Sequence, residues 1–306
     1  MNTRRDLLRS LAVAAVAGLP RSLRGDAAPF RYSICNEIFE KLNFRESCKL
    51  ARSMGYTGLE ISPFTLADNV ADISAARRKE LRDIMHSEGL QFVGLHWLLV
   101  TPKWLHITTP DVELRTKSWD YVRGLIDLAG DLREGQSEPA IMVLGSPKQR
   151  GTSGGATVRQ AVDNLVAGLQ SVGDHARERN CVICMETLDH SQTDVDCTLA
   201  ETVEILHRVN KPAVQTMFDF HNTPDEKDPP DVLVERYFPM IRHVHINEMD
   251  GRWPGSGHSD YVPLLRTLKR KNYRGWISLE VFDFKAGAEN IGRASIGYLK
   301  GLESKL

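Results

Sequence analysis

The chain has 306 residues, 42% of them apolar, with 39 Lys and Arg against 40 Asp and Glu for a formal charge of -1. That length suits a single α/β domain of ~250 residues with a leader in front of it. The balanced, mixed charge leaves no basic face for nucleic acid and no acidic tail, so a neutral enzyme acting on a small molecule is the natural class.

The first stretch, MNTRRDLLRSLAVAAVAGLP, places Arg4 and Arg5 before an apolar run from Leu11 to Leu19. The run is shorter than the ~18 residues of a membrane span, and the pattern resembles a twin-arginine export signal. Residues 1–28 are therefore expected to be a signal peptide, with Gly25 and Ala27 as a small-residue cleavage point, and residues 29–306 the folded domain. The expected location is periplasmic or secreted, without a stable membrane span; the alternative is an uncleaved peripheral helix.

FRYSICNEIF reads as a first strand, and Asn43 with Glu46 forms a capping-box pattern for a helix ending at Gly55. In the second strand, GYTGLEIS, alternation sets Leu59 and Ile61 on one side and Glu60 on the other. A helix from about Ser74 to Gly89 precedes LQFVGLHW, where His96 shares a side with Gly94, while Val93, Leu95 and Trp97 take the other. The long connection from Leu98 to Asp111 has the length of a lid, although a packed loop is the commoner state.

A helix from Pro110 to about Arg133 leads to the fourth strand, PAIMVLGS, and to a glycine-rich loop whose Lys148 and Arg150 could hold an anionic or hydroxyl-rich group, a solvated loop being as common a state. Its glycines do not form a Walker pattern. Apolar residues at helical spacing from Val158 to Ala176 precede the fifth strand and Glu186. A helix from Thr198 to Val209, a sixth strand ending in Asp219 and a helix from Asp231 to Tyr237 follow. In the seventh strand His243 and His245 share a side; Asp260 opens the next helix, and the eighth strand ends at Glu280. Eight alternations of strand and helix predict a (β/α)8 barrel, the TIM-barrel class. The five cysteines fit no disulfide framework, and Cys181 and Cys184, three apart on a strand, point to opposite faces as buried small residues.

Glu186, Asp219, His245 and Glu280 are spaced by 33, 26 and 35 residues, each close to the ~30 of one strand-helix repeat. They fall at the carboxyl ends of consecutive strands, where a barrel of this class carries its chemistry. Any one of them alone is best read as satisfied by a neighbour. Four in register are not, because three carboxylates enclosed with one imidazole need a cation. Oxygen-rich ligation with one nitrogen and no thiolate favours a single Mn(II), Mg(II) or Co(II) ion.

The Glu, Asp, His-x-His and Glu order, followed by the Arg-Trp-Pro-Gly loop at residues 252–255, resembles the xylose-isomerase-like sugar isomerase and epimerase superfamily, in particular the ketose 3-epimerases and hydroxypyruvate isomerases. The resemblance runs from about Phe30 to Leu302. It implies one divalent ion held by Glu186, Asp219, His245 and Glu280, with Glu186 and Glu280 also exchanging the substrate proton. It further suggests Arg252, His221, His96 and Glu60 as contacts to a sugar; the alternatives are an Arg252 pair with Asp250 and a hydrogen-bonded barrel lining for Glu60 and His96. The chain departs from the family pattern in two places: the epimerases usually carry a histidine three residues after the aspartate, whereas His221 comes two after Asp219, and Gln192 stands where a glutamate is common.

The expected function is therefore a metal-dependent sugar isomerase or epimerase working through an ene-diolate, with a homo-oligomer compatible with this reading. The departures leave room for a lyase or dehydratase acting on 3-keto sugars or keto-glycosides. Two other readings are a phosphodiester-cleaving enzyme of the endonuclease IV type, for which His258 and Asp260 would be sought as extra ligands, and a sugar-binding protein without turnover.

Overall fold

The computed structural model describes residues 29–306, so the predicted signal peptide at 1–28 lies outside the described residues. Eight parallel strands close on themselves in chain order: β1 (Arg31–Cys35), β2 (Gly58–Ile61), β3 (Gln91–Leu95), β4 (Ala140–Leu144), β5 (Cys181–Met185), β6 (Val214–Asp219), β7 (Ile241–Ile246) and β8 (Trp276–Leu279). Around them run α1 (Phe44–Met54), α2 (Ala75–Ser87), α3 (Val112–Leu132), the single turn α4 (Pro147–Arg150), α5 (Val158–Glu178), α6 (Leu199–Val209), α7 (Pro230–Tyr237), α8 (Val262–Arg270) and α9 (Ala288–Glu303). This is the expected (β/α)8 barrel.

Local chemistry sets the helix ends. The Asn43 side chain accepts the Glu46 amide while the Glu46 carboxylate accepts the Asn43 amide, at 3.0 and 3.1 Å, and the chain leaves α1 through left-handed Gly55. A second capping box, Thr157 with Gln160, opens α5 and went unread in the sequence. α5 then buries Leu165, Leu169 and Val172 completely against the barrel. Each such side chain contributes about 1.5–3 kcal/mol of transfer free energy.

Two corrections concern β1 and β3. The first strand stops at Cys35, and the NEIF that continues its apolar run winds into a 3-10 turn with Glu37 buried. In β3 the register against β2 slips between Leu59 and Glu60. Val93 consequently lies inside the barrel, packed over Gly58, instead of outside with Leu95. β3 also comes so close to β4 that a Cβ on Gly94 would stand 1.8 Å from the Ile141 carbonyl oxygen, so only glycine fits there.

The barrel interior is apolar on the β4–β6 side, where Ile141, Val143, Cys184 and Met217 pack together, and polar on the β1, β2, β7 and β8 side. Cys181 instead joins the helix-facing core, and all five cysteines are buried and unpaired, as the strand spacing implied. The connection from Leu98 to Asp111 buries Leu98, Leu99, Leu105 and Ile107, which makes it a packed loop. No helix among the described residues is long and apolar enough to cross a membrane.

Candidate active site

Each of the four registered residues lies within one position of a strand's carboxyl end, so the closed barrel carries all of them to its carboxyl-terminal mouth. Single ligand atoms of Glu186, His245 and Glu280 lie within 4.8 Å of one another. His245 Nδ1 is the centre of this group, 3.0 Å from Glu280 Oε2 and 3.8 Å from Glu186 Oε1. Asp219 stands beside them rather than within that sphere: Oδ1 takes the His221 amide at 3.0 Å and Oδ2 the Asn222 side-chain amide at 2.5 Å. The same Asn222 Nδ2 lies 3.5 Å from Glu186 Oε1 and so links the two carboxylates.

The backbone makes room for this arrangement. A Cβ on Gly145 would fall 2.0 Å from Glu186 Oε2. Arg150, wholly buried, donates to the carbonyls of Leu144 and Glu186 at 3.0 and 2.6 Å and to that of Asp196 at 3.2 Å. It braces the ends of β4 and β5 and is not free to grip a ligand, which corrects the expectation for that loop; Lys148, from the same loop, does face the cavity.

The mouth opens into a cavity of about 450 Å³. Trp97, Val100, Leu188 and Phe282 form its apolar wall, and Glu186, Glu280, Gln192, His221 and Asn222 face it with polar groups. A few convergent polar groups in a largely apolar cleft is the usual form of a small-molecule site.

The electrostatics show an excess of negative charge. Burial first, then the carboxylates of Glu280 and Asp219, push the Glu186 carboxyl well above its ordinary value. Burial and Glu280 also raise Asp219. Burial works to raise Glu280 too, but the His245 charge and hydrogen bond outweigh it and hold it below the usual range. Burial would strip His245 of its proton, yet Glu60 and Glu280 on either side raise it well above the ordinary imidazole value.

The donor set fits a divalent cation. His245 Nδ1 stands where the carboxylate oxygens converge, and Nε2 is fixed 3.0 Å from Glu60 Oε1. That is the carboxylate–histidine pairing that orients a metal-bound imidazole and leaves the other nitrogen as ligand. Oxygens with one nitrogen and no thiolate suit a hard or borderline ion.

Glu60 and His96 are hydrogen-bonded barrel lining and not sugar contacts. Both are fully buried beneath the mouth, and neither lines the cavity. Glu60 accepts from His243 at 2.8 Å, from His245 at 3.0 Å and from Ser278 at 2.5 Å. His96 Nε2 lies 2.9 Å from both Glu37 Oε2 and Ser62 Oγ. An inward position on a strand placed them in the barrel, but their height in it is too low to meet a ligand. Arg252 is turned to Asp250, with Nε 2.8 Å from Oδ2, and lies in a separate surface groove with His258. Asp260 receives the Val262 amide at 3.0 Å at the start of α8, so neither His258 nor Asp260 joins the mouth. His221 does line the cavity.

Trp97 and Asn222 were missed. Strand alternation sends Trp97 outward, but its φ of 53° breaks the alternation, and its indole Nε1 donates to Glu280 Oε1 at 2.7 Å. Asn222 occupies the position three after Asp219, so the spacing that singled out a histidine there was the available signal. Gln192 bonds it, with Nε2 2.7 Å from Asn222 Oδ1.

The sequence model of the xylose isomerase-like TIM-barrel family matches residues 48–302. The chain is 28% identical over 117 residues to the D-psicose 3-epimerase of Agrobacterium fabrum, covering 38% of this chain and 40% of that protein. It is 24% identical over 140 residues to the inosose dehydratase of Clostridium tetani, covering 38% and 46%. These matches therefore span less than half the length of either relative. A crystal structure of 3-keto-D-glucoside 4-epimerase from E. coli superposes with a TM-score of 0.75 at 18% identity, covering 90% of this chain and all of that one, which is a likeness of fold.

Proposed function

The chain belongs to the xylose isomerase-like TIM-barrel family, and from that premise we propose that it is a divalent-metal-dependent sugar isomerase or epimerase. The observation that carries this reading is the convergence of Glu186, His245 and Glu280, with Asp219 alongside, on one small-molecule cavity. Glu186, Asp219, His245 and Glu280 would hold one Mn(II), Mg(II) or Co(II) ion, which when bound acidifies the C–H beside a chelated carbonyl and steadies the negative charge left by its loss. Glu186 and Glu280 both reach the cavity and serve as the proton-transfer pair. Return of the proton to the other face of the same carbon is epimerisation, and return to the neighbouring carbon is isomerisation. Glu60 keeps His245 in one tautomer and orientation, while His221, Asn222 and Gln192 meet the sugar oxygens.

The test is a panel of free ketoses and keto-glycosides in D2O with each metal, followed by NMR. Deuterium entering one carbon of a recovered or isomerised sugar is the expected result. No exchange with any sugar and any metal removes the reading, and binding without exchange leaves a sugar-binding protein.

A second reading is favoured by the neutral amides Asn222 and Gln192 on the cavity wall and by the likeness to an inosose dehydratase. The same proton abstraction followed by loss of a β-substituent is elimination, so release of water or an alcohol from a 3-keto sugar or keto-glycoside would identify a lyase. For the leader, Arg4, Arg5 and the apolar run to Leu19 support export by a twin-arginine route. Comparing the mature N-terminus of wild type with that of an Arg4→Lys, Arg5→Lys double variant tests it.

A further inference from the structure

We propose that Trp97 is a positioning residue for Glu280: its indole N–H pins one carboxylate oxygen so that the other is delivered to His245 Nδ1 and the cation site. The inference rests on the metal reading above. Trp97 adopts a φ of 53°, a conformation rare for a bulky side chain and held only where surroundings fix it. The backbone turn brings Nε1 to 2.7 Å from Glu280 Oε1, while Glu280 Oε2 lies 3.0 Å from His245 Nδ1. The ring is braced by Phe64 and Phe282, each with its centroid 6.1 Å away. An indole nitrogen can only donate, so it cannot replace Glu280 as a ligand, and its bond fixes the plane of the carboxylate. Asp219 takes an amide from its own loop, and Glu186 has only the long contact from Asn222, so Glu280 is the one carboxylate of the three held by an aromatic N–H.

The experiment compares full-length wild type, Trp97→Phe and a variant with benzothienylalanine at position 97, which keeps the bicyclic shape and loses only the N–H. Trp104→Phe, at an exposed tryptophan, is the control. Mn(II) affinity of the metal-free proteins is measured by titration calorimetry, and the Co(II) absorption spectrum is recorded alongside. Both position-97 variants are expected to bind Mn(II) about 10–100-fold more weakly with an altered Co(II) spectrum, the range seen when a partner of a metal ligand is removed. The control should match wild type. Wild-type affinity and spectrum in the benzothienylalanine variant overturn the proposal, even if Trp97→Phe folds poorly. Failure of wild type itself to bind any of the three metals overturns the metal reading instead.

Discussion

Two groups of carboxylates and histidines share His245, and they differ in balance rather than in composition. Beneath the mouth, Glu37 and Glu60 are met by His96, His243, His245, Ser62 and Ser278, and each carboxylate has imidazole and hydroxyl partners. At the mouth, Glu186 and Glu280 share His245 and open onto the cavity, while Asp219 has His221 beside it and amides as its hydrogen-bond partners. The lower group is buried and matches its carboxylates, leaving only His96 Nδ1 and His243 Nδ1 without a hydrogen-bond partner; the upper one is short of positive charge. Burial alone therefore does not mark a site. What marks it is a charge that the protein leaves uncompensated where a ligand can reach.

The largest effects are expected where that imbalance is used. Glu186→Gln or Glu280→Gln should slow solvent exchange into the sugar by about 10²–10⁴-fold, measured by NMR with metal present. Wild-type exchange in both would leave the mouth without a chemical role. Removing the metal with a chelator should abolish exchange and lower Tm. At a metal concentration near 100 Kd the stabilisation lost is about 2.7 kcal/mol, or roughly 5–10 °C for a chain of this size. An unchanged Tm and rate would make the upper group as self-sufficient as the lower.

Glu60→Gln tests the lower group. It should weaken Mn(II) binding about 10–100-fold by releasing His245. Glu60→Ala should add a loss of about 3–5 kcal/mol in denaturant unfolding, because buried imidazoles lose their partner. Glu186 and Glu60 should also respond oppositely to pH in the metal-free protein. Burial raises the Glu186 carboxyl, helped by Glu280 and Asp219, so between its unfolded and folded pKa the native state holds the extra proton, and stability falls as pH rises through that window. Burial opposes ionisation of Glu60, but His243 and His245 prevail and hold it well below its ordinary value, so its contribution is present above the unfolded pKa and lost only as pH falls through the folded one. Thermal melts from pH 5 to 8 should decline with rising pH, and Glu186→Gln or added Mn(II) should flatten them. Arg252→Ala is the smallest change: the Arg252–Asp250 pair is exposed, so kcat/KM and Tm should stay within about twofold and about a degree of wild type.

The barrel was legible because each repeat states its own period. Leu59 and Ile61 alternate with Glu60, Leu165, Leu169 and Val172 recur at helical spacing, and Asn43 with Glu46 announces a helix start. Glu186, Asp219, His245 and Glu280 followed from the same regularity, since each lies within one position of its strand's end. The readings that changed were those in which spacing was asked for a height or a direction. Glu60 and His96 face inward, as alternation required, but they lie below the reach of a ligand. Val93 and Trp97 escaped because a register slip and a left-handed backbone interrupt the period of two.

The sequence by itself determined the class of the barrel, the order of its elements and the four residues gathered at one end, because periodicity and chain length constrain those directly. Only the tertiary structure decided which buried acids are matched by histidines and which are not. It also decided that Arg150 braces two strand ends, that Arg252 turns away, and that Trp97 reaches Glu280. These depend on contacts between residues far apart in the chain, such as Glu60 with His243 and Trp97 with Glu280, whose partners are chosen by barrel closure and not by any local preference.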